Sequence, residues 1–457
     1  MRRGYLLIDK SVVLAAMRKK NISTQTELAD RLGMSKSQLS QMLSDDFCPI
    51  KTNVVKLMNN LDIPYNQIIK EESGDEMTVS TIFSPTNGSK QMELIDDDRI
   101  NRFDYRLNEF KNVQDTLPKK KYTFIETFAG AGGLSLGLEK AGLHSLADIE
   151  VDSTACATLR LNRPNWNVIE ADINEIANMG INKHEQFNFI GEVDILSGGY
   201  PCQSFSYAGL RNGLDDTRGT LFYPYSQLLK ELKPKMFIAE NVKGLVNHDD
   251  GKTLETMIQV FEDSGYSVAW NVLNAWNYNV AQKRERIVII GIRNDLYNQQ
   301  KQPFRFPKPY EYKPILDDVL QNVPKSLGST YPQSKIEVLD LVPPGGCWID
   351  LPEEIAKKYM GASYNSGGGR RGMARRLSWK EPSLTLTTSP AQKQTERCHP
   401  EETRPFTVRE YARIQSFPDD WEFVGSIGNQ YKQIGNAVPV NLAQAIGQSV
   451  IDYLNQF

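Results

Sequence analysis

From residue 121 the chain alternates strand-like and helix-like runs, and that alternation restricts the folds open to it. "YTFIETF", "HSLADIE", "NVIEADI", "EVDILSG" and "KMFIAEN" read as strands, with "LSLGLEKAG" and "LFYPYSQLLKEL" between them as helices. A helical crossover returns the chain to the same end of a sheet, so such strands pair in parallel and helices cover both faces. "YSVAWNVLNA" and "RIVIIGIR" add two more strands. The expectation over 121–302 is an α/β, Rossmann-like parallel sheet. Ligands of such sheets gather outside the carboxyl ends of the strands.

The residues at that edge carry chemistry. In "FIETFAGAGGLSLGL", Gly130, Gly132 and Gly133 follow the first strand and open a helix, a turn that lets a ligand approach the backbone. Glu150 ends the second strand and Asp172 the third. An acid there can accept hydrogen bonds from both ribose hydroxyls of an adenosine-type cofactor. NAD and S-adenosylmethionine both satisfy the pattern.

The fourth strand runs into "LSGGYPCQSFS", which presents Cys202 on a turn. Gly198 and Gly199 read as room for an approaching substrate, and Pro201 as the residue that fixes the turn. A free thiol has a pKa of about 8.5, so little of it is thiolate at neutral pH. The stretch holds no histidine to help, and assistance has to come from the setting or the substrate. Glu240 ends the fifth strand in "FIAENVKGL" and reads as a proton donor or hydrogen-bond partner to that substrate. Arg284 and Arg286 alternate in "AQKRERIVII" and so share a face. The competing reading of these two is a surface ion-pair cluster with Glu285.

The rest of the chain narrows the classes. The five cysteines are odd in number, scattered and without a C-x-x-C, which argues against a disulfide framework or a zinc site; no metal is expected. No apolar run reaches the roughly 18 residues of a membrane span, and the N-terminus does not read as a secretory signal. A cytoplasmic protein without a membrane partner is expected. The net charge of −3 hides an asymmetry: residues 1–70 hold 11 Lys+Arg against 6 Asp+Glu, and residues 71–117 hold 5 against 11. A basic module precedes an acidic connector.

The basic module reads as short helices. "ISTQTELADRLGMSKSQLSQML" contains two capping boxes, Thr24–Glu27 and Ser35–Gln38, with Gly33 between them. Leu28 and Leu32 mark one apolar face, and Leu39, Met42 and Leu43 another. This is helix-turn-helix spacing, similar to the phage-repressor class; a helical protein-docking domain is the alternative. Lys36, Gln38 and Gln41 would face DNA, since Gln can bond adenine edges and Lys can reach phosphate or guanine. The connector adds one expected helix near 99–113. After 302 the alternation fails, and "VPPGG" and "NSGGGRRGMARRLSW" mark an irregular region to about 400. Its Arg370, Arg371, Arg375 and Arg376 suit guanine edges or phosphates, or form a solvated basic loop. Helix returns over 401–457.

Taken together, these motifs resemble the bacterial cytosine-5 DNA methyltransferases of restriction–modification systems, from about 121 to 457 with a gap in the variable middle. "FAGAGG" is similar to the family's cofactor loop, "GGYPCQSFS" to its nucleophile motif, "ENVKGL" to its glutamate motif and "QKRER" to its arginine motif. "RGTLF", "REYARIQSFPDDW" and "QIGNAVP" resemble further motifs in the same order, and Thr385-Leu386 resembles the end of the family's target-recognition region.

The resemblance implies an S-adenosyl-L-methionine-dependent enzyme that methylates C5 of a flipped cytosine in double-stranded DNA through a covalent Cys202 adduct. Glu240 would hold N3 and Arg286 O2, with Arg284 in support. Phe128, Gly130, Gly132, Glu150, Asp172, Pro201, Leu221 and Asn436 would line the cofactor site. Val151 stands where the family often has an aromatic residue, and Ile173 could replace its packing. The implied domains are a helix-turn-helix over 1–70, a linker over 71–120, a catalytic domain over 121–302, a target-recognition domain over 303–400 and C-terminal motifs over 401–457. The enzyme would protect DNA from a cognate restriction endonuclease, and the helix-turn-helix would bind the enzyme's own promoter. A tRNA cytosine-5 methyltransferase, or a transcription regulator with an inactive methylase lobe, would share many of these features.

Overall fold

The computed structural model describes residues 116–187, 191–201, 221–365 and 372–457, with 7–8, 10–20, 24–32 and isolated positions elsewhere up to 70. Cys202 and the loop after it, Lys36, Gln38, Gln41, the Ser35–Gln38 box, Arg370, Arg371 and the connector over 71–115 lie outside the described residues. The chain divides into two compact units, Met1–Ile82 and Phe83–Phe457.

In the first unit β1 (Leu7–Ile8) pairs antiparallel with β2 (Ile69–Lys70). Helices α1 (Lys10–Lys19) and α2 (Gln25–Leu32) follow β1. Thr24 caps α2 by accepting the Glu27 N–H at 3.1 Å. The two apolar faces meet in one core: Leu28, Leu32, Leu39 and Leu43 are buried together with Val13 and Met17.

The second unit is built on a seven-stranded sheet. Its strands are β3 (Thr123–Thr127), β4 (His144–Glu150), β5 (Val168–Glu170), β6 (Ile195–Gly198), β7 (Met236–Val242), β8 (Tyr266–Asn274) and β10 (Glu285–Arg293). The order is β5-β4-β3-β6-β7-β10-β8. The short β9 (Gln282–Lys283) pairs instead with β11 (Ser383–Leu384). Helices α3 (Gly133–Ala141), α4 (Ser153–Asn162), α5 (Ile173–Met179), α6 (Phe222–Leu232) and α7 (Lys252–Asp263) make the crossovers. Strands β3 to β7 pair in parallel, as their alternation with helices implies. Strand β10 corrects the all-parallel expectation, because it runs antiparallel to both β7 and β8. The link over 275–284 is too short for a crossover helix, so the chain leaving β8 can only return alongside it. The continuous apolar run of β10 is buried from Ile287 to Ile292, as suits a strand covered on both faces.

Beyond the sheet, α8 (Gln333–Leu339) and α9 (Glu353–Met360) enclose a small core with Tyr331, Val342, Leu351, Ala374 and Cys398. Its polar centre is the buried Glu396, which pairs with Lys335 at 2.6 Å and accepts hydrogen bonds from the Tyr359 hydroxyl and the Ala374 N–H. The chain closes with α10 (Val408–Ile414), α11 (Ile427–Asn436) and α12 (Val440–Leu454). Among the described residues no helix is long and apolar enough to cross a membrane.

Helix α12 packs on α3 at Gly137, where an added Cβ would lie 2.3 Å from the Ala443 Cβ and 2.5 Å from the Val440 carbonyl. Glycine to alanine in a helix normally gains about 1 kcal/mol. Here overpacking reverses the sign, and Gly137→Ala is expected to lose about 1–3 kcal/mol. A lowered urea midpoint checks this; a raised one contradicts the close approach.

Candidate active site

The chain leaves β3 for β4 and β5 on one side, then returns to place β6 on the other. The carboxyl ends of β3 and β6 therefore flank a crevice, where a doubly wound sheet binds its ligands. A cavity of about 1010 Å³ opens there. Phe128 takes φ 57° and Gly130 φ 53°, and nothing lies within 4 Å of the position a Gly130 side chain would occupy. The turn thus exposes its backbone to the cavity.

Glu150 organises this turn. Its Oε2 accepts the Gly130 N–H at 2.7 Å, and its Oε1 accepts the Val151 and Asp152 N–H groups, each at 2.8 Å. These bonds fill three of about four acceptor sites on a carboxylate and leave capacity for a ligand hydroxyl. Asp172 caps α5 through the Asn174 N–H at 2.8 Å and also lines the cavity. Ile173 is buried on the same wall, whereas Val151 is 67% exposed at the rim. Pro201, Leu221 and Asn436 line the cavity as well. Residues the sequence did not single out also line it: Glu126, Asn429, Gln433 and Lys432, whose ammonium pairs with Asp152 at 3.2 Å.

The other end of the same cavity holds Glu240, Arg284, Arg286 and Thr385. Arg286 Nε pairs with Glu240 Oε1 at 2.8 Å, and both side chains are largely buried. The surface-cluster alternative fails, since the Glu285 carboxylate pairs with Lys243 and, of Glu285, the Arg286 guanidinium donates only to the backbone carbonyl. Asn241, beside Glu240, was not anticipated: its Nδ2 donates to the Tyr200 carbonyl at 2.8 Å and so fixes the backbone just ahead of Pro201 and Cys202.

Several expectations are corrected. The space beside Gly198 and Gly199 is taken by the protein itself: a Cβ would lie 2.2 Å from Thr127 Oγ1 at Gly198 and 2.9 Å from Glu240 Oε2 at Gly199. Both glycines make room for neighbouring side chains, and Gly199 also lines the cavity. Gly132 packs against Leu159 and Trp421 and is not on the cavity wall. Arg284 is only 2% exposed and is a strut: it donates to the carbonyls of Leu386, Gly435 and Ala437 at 2.9–3.1 Å. Burial, and then the charge of Arg286, pulls its guanidinium down to about 9. Arg376, 4% exposed, donates to the carbonyls of Val342, Leu339 and His399 and to Thr403 Oγ1. Arg375 donates to the Gly345 carbonyl and pairs with Glu381. Both guanidiniums are engaged by internal acceptors, because loop carbonyls there need donors. Thr385 Oγ1 donates to the Lys283 carbonyl at 2.8 Å.

The donor set suits an adenosine-type cofactor: an open glycine turn, a carboxylate with spare acceptor capacity, apolar walls at Ile173 and Leu221, and a reactive end within the same cavity. Comparisons with known proteins agree. The family described as C-5 cytosine-specific DNA methylase matches residues 122–452, and a helix-turn-helix family matches 14–68. The chain is 61% identical to the Type II methyltransferase M.Sau96I of Staphylococcus aureus, covering 98% of this chain and 99% of the relative. It is 49% identical to the Type II methyltransferase M.Eco47II of Escherichia coli, covering 83% and 91%. A solved DNA modification methyltransferase encoded within an E. coli prophage shares the fold, with a TM-score of 0.53 at 23% identity, over 73% of this chain and 100% of that one. The chain therefore belongs to the C-5 cytosine-specific DNA methylases, which carry a methyl group from S-adenosyl-L-methionine to C5 of cytosine in DNA.

Proposed function

We propose that the chain methylates one cytosine within a specific duplex sequence and thereby protects DNA from a cognate restriction endonuclease. The observation that carries this reading is the single cavity that joins the Glu150 end to the Glu240–Arg286 pair. The names of its relatives, Type II methyltransferases, support the protective role.

In this reading the Cys202 thiolate bonds C6 of a cytosine flipped out of the duplex, a step that costs a few kcal/mol of stacking and pairing. Glu240 holds N3 and supplies the proton that offsets charge in the ring. Arg286 bonds O2 and fixes the Glu240 carboxyl. Phe128, Gly130, Glu150, Asp172, Ile173, Pro201, Leu221 and Asn436 hold S-adenosyl-L-methionine, which supplies an electrophilic methyl group when bound. C5 uses the electron pair released by addition at C6. Loss of the C5 proton to a base, return of the N3 proton to Glu240 and departure of the Cys202 sulfur from C6 restore the ring. Region 303–400 reads the duplex, with Arg370 and Arg371 as base or phosphate contacts in place of the internally held Arg375 and Arg376.

The helix-turn-helix acts separately, in the cytoplasm with the rest of the chain, and represses the enzyme's own promoter through Lys36, Gln38 and Gln41. A gel shift of upstream DNA by the full chain, lost on Gln38→Ala/Gln41→Ala but unaffected by deletion of 366–371, tests that role. Bisulfite sequencing of DNA from cells that express the chain tests the main reading. Protected cytosines in one recurring sequence are expected; methylation confined to tRNA would overturn it.

A further inference from the structure

DNA carries one negative charge per phosphate, and a chain of net charge −3 can hold it only where positive charge is in local surplus. One such surplus borders the reactive end of the cavity and has no part in the scheme above. Lys283 Nζ lies 4.8 Å and Lys313 Nζ 5.2 Å from the centre of the Trp276 ring. Both lysines are exposed. The neighbouring Lys243 is neutralised by Glu285, but neither Lys283 nor Lys313 has a carboxylate partner among the described residues. Asp318 is turned to the Ile315 N–H and the Tyr312 hydroxyl instead. An indole face attracts each ammonium, yet the two like charges repel one another. The arrangement therefore gains most when an anion adjoins both.

The ring is fixed from both sides. Its Nε1 donates to the Pro314 carbonyl at 2.9 Å, next to Lys313, and the Ala275 N–H donates to the Arg284 carbonyl at 2.9 Å, next to Lys283. The two ammoniums are thereby held close to one place, which lowers the ordering cost of a contact there. That place is tied to the reactive end. The Lys283 carbonyl accepts the Thr385 hydroxyl at 2.8 Å, and Thr385 lines the cavity with Glu240 and Arg286. Strands β7 and β8 are each antiparallel to β10, so both end at the same edge of the sheet, and Val242, Arg286 and Leu273 share one row across it. Trp276 follows just beyond Leu273 in the chain. Neighbouring strands stand about 4.8 Å apart, so the two steps from β7 to β8 span about 10 Å. Successive phosphates of one DNA strand advance about 3.4 Å along the helix axis, so that span matches about three nucleotides.

We propose that Lys283 and Lys313, held by Trp276, form a two-phosphate clamp on the strand that carries the target cytosine, about three nucleotides from the flipped base. The inference rests on the reading of the Glu240–Arg286 end as the seat of that base. A phosphate contact carries no sequence information: the clamp sets the register of the duplex and holds the backbone while the base leaves the stack. Lysine suits this task, because its ammonium is a compact point charge that imposes no fixed angle on a moving phosphate.

Binding of the full chain to two duplexes tests this, one with the sequence that the chain methylates and one with that sequence scrambled. The Kd is followed over about 50–200 mM salt. Lys283→Ala/Lys313→Ala should reduce the slope of log Kd against log salt by about 1.8 on both duplexes, about 0.9 for each phosphate released. The KM for the methylated duplex should rise on the order of tenfold at unchanged kcat, because the clamp holds substrate and transition state alike. The unchanged kcat also shows that the variant folds. Lys283→Arg/Lys313→Arg should restore the slope. The helix-turn-helix is common to all three proteins and cancels in the differences. Neutral methylphosphonates about two to four nucleotides from the target cytosine should weaken binding by the wild type and leave the double alanine variant unaffected. An unchanged slope in the alanine variant, a loss confined to one duplex, or equal weakening of both proteins by methylphosphonates overturns the proposal alone. Failure of the wild type to methylate any duplex overturns the reading of the reactive end and the proposal with it.

Discussion

Cys202→Ser is expected to lower methyl transfer to duplex DNA by on the order of 10⁴-fold or more, the scale on which removal of a covalent nucleophile acts. Cytosine C5 is a poor nucleophile until something adds at C6, and a serine hydroxyl is ionised far less readily than a thiol. Cofactor binding should survive, because the substitution leaves the Glu150 carboxylate and the Gly130 turn that it organises unchanged. Two measurements check this: labelled-methyl incorporation, and a covalent protein–DNA band with 5-fluorocytosine substrate. Fluorine at C5 cannot leave as a proton, so the adduct accumulates in the wild type and should be missing in the variant. A variant that retains more than about one hundredth of the rate would refute covalent catalysis by this residue.

Arg284→Ala should fail for a different reason. Its guanidinium ties the start of β10 to Leu386 and to Gly435 and Ala437 at the end of α11, three carbonyls from distant parts of the chain. Leu386 and Gly435 would lose that donor, while Ala437 keeps the Gln415 amide N–H at 2.8 Å, and each unsatisfied buried carbonyl costs about 1–3 kcal/mol. Arg284→Lys should rescue little, since one ammonium cannot match a planar fork that serves three acceptors. Arg286→Ala makes the contrast: Arg286 pairs with Glu240 on the cavity wall, so its loss should reduce turnover far more than the unfolding midpoint. Urea unfolding alongside kcat for the two alanine variants separates strut from site. An unchanged midpoint in Arg284→Ala would show that the carbonyls find other donors.

The comparison of these two arginines shows how far a sequence reading reaches. "QKRER" put both on one face at the strand edge, and both do line the cavity. Their division of labour depends on what stands opposite, and Leu386, Gly435 and Ala437 come from segments far along the chain. The same holds for Arg375 and Arg376, which look like DNA contacts in an arginine cluster and are in fact donors to loop carbonyls. Small residues mislead in the same way. Gly198 and Gly199 announce a need for space, but only packing reveals that Thr127 and Glu240 fill it.

The sequence by itself determined the alternation of strands and helices, the glycine turn at the end of β3 and the acids at successive strand ends. These are local: each depends on the residue type, its spacing and the direction of one strand. The tertiary structure alone decided the reversed β10, the backbone clamp of Asn241 and the strut role of Arg284. Those features arise where segments remote in the chain meet, and a buried polar group's role is set by the partners that burial forces upon it.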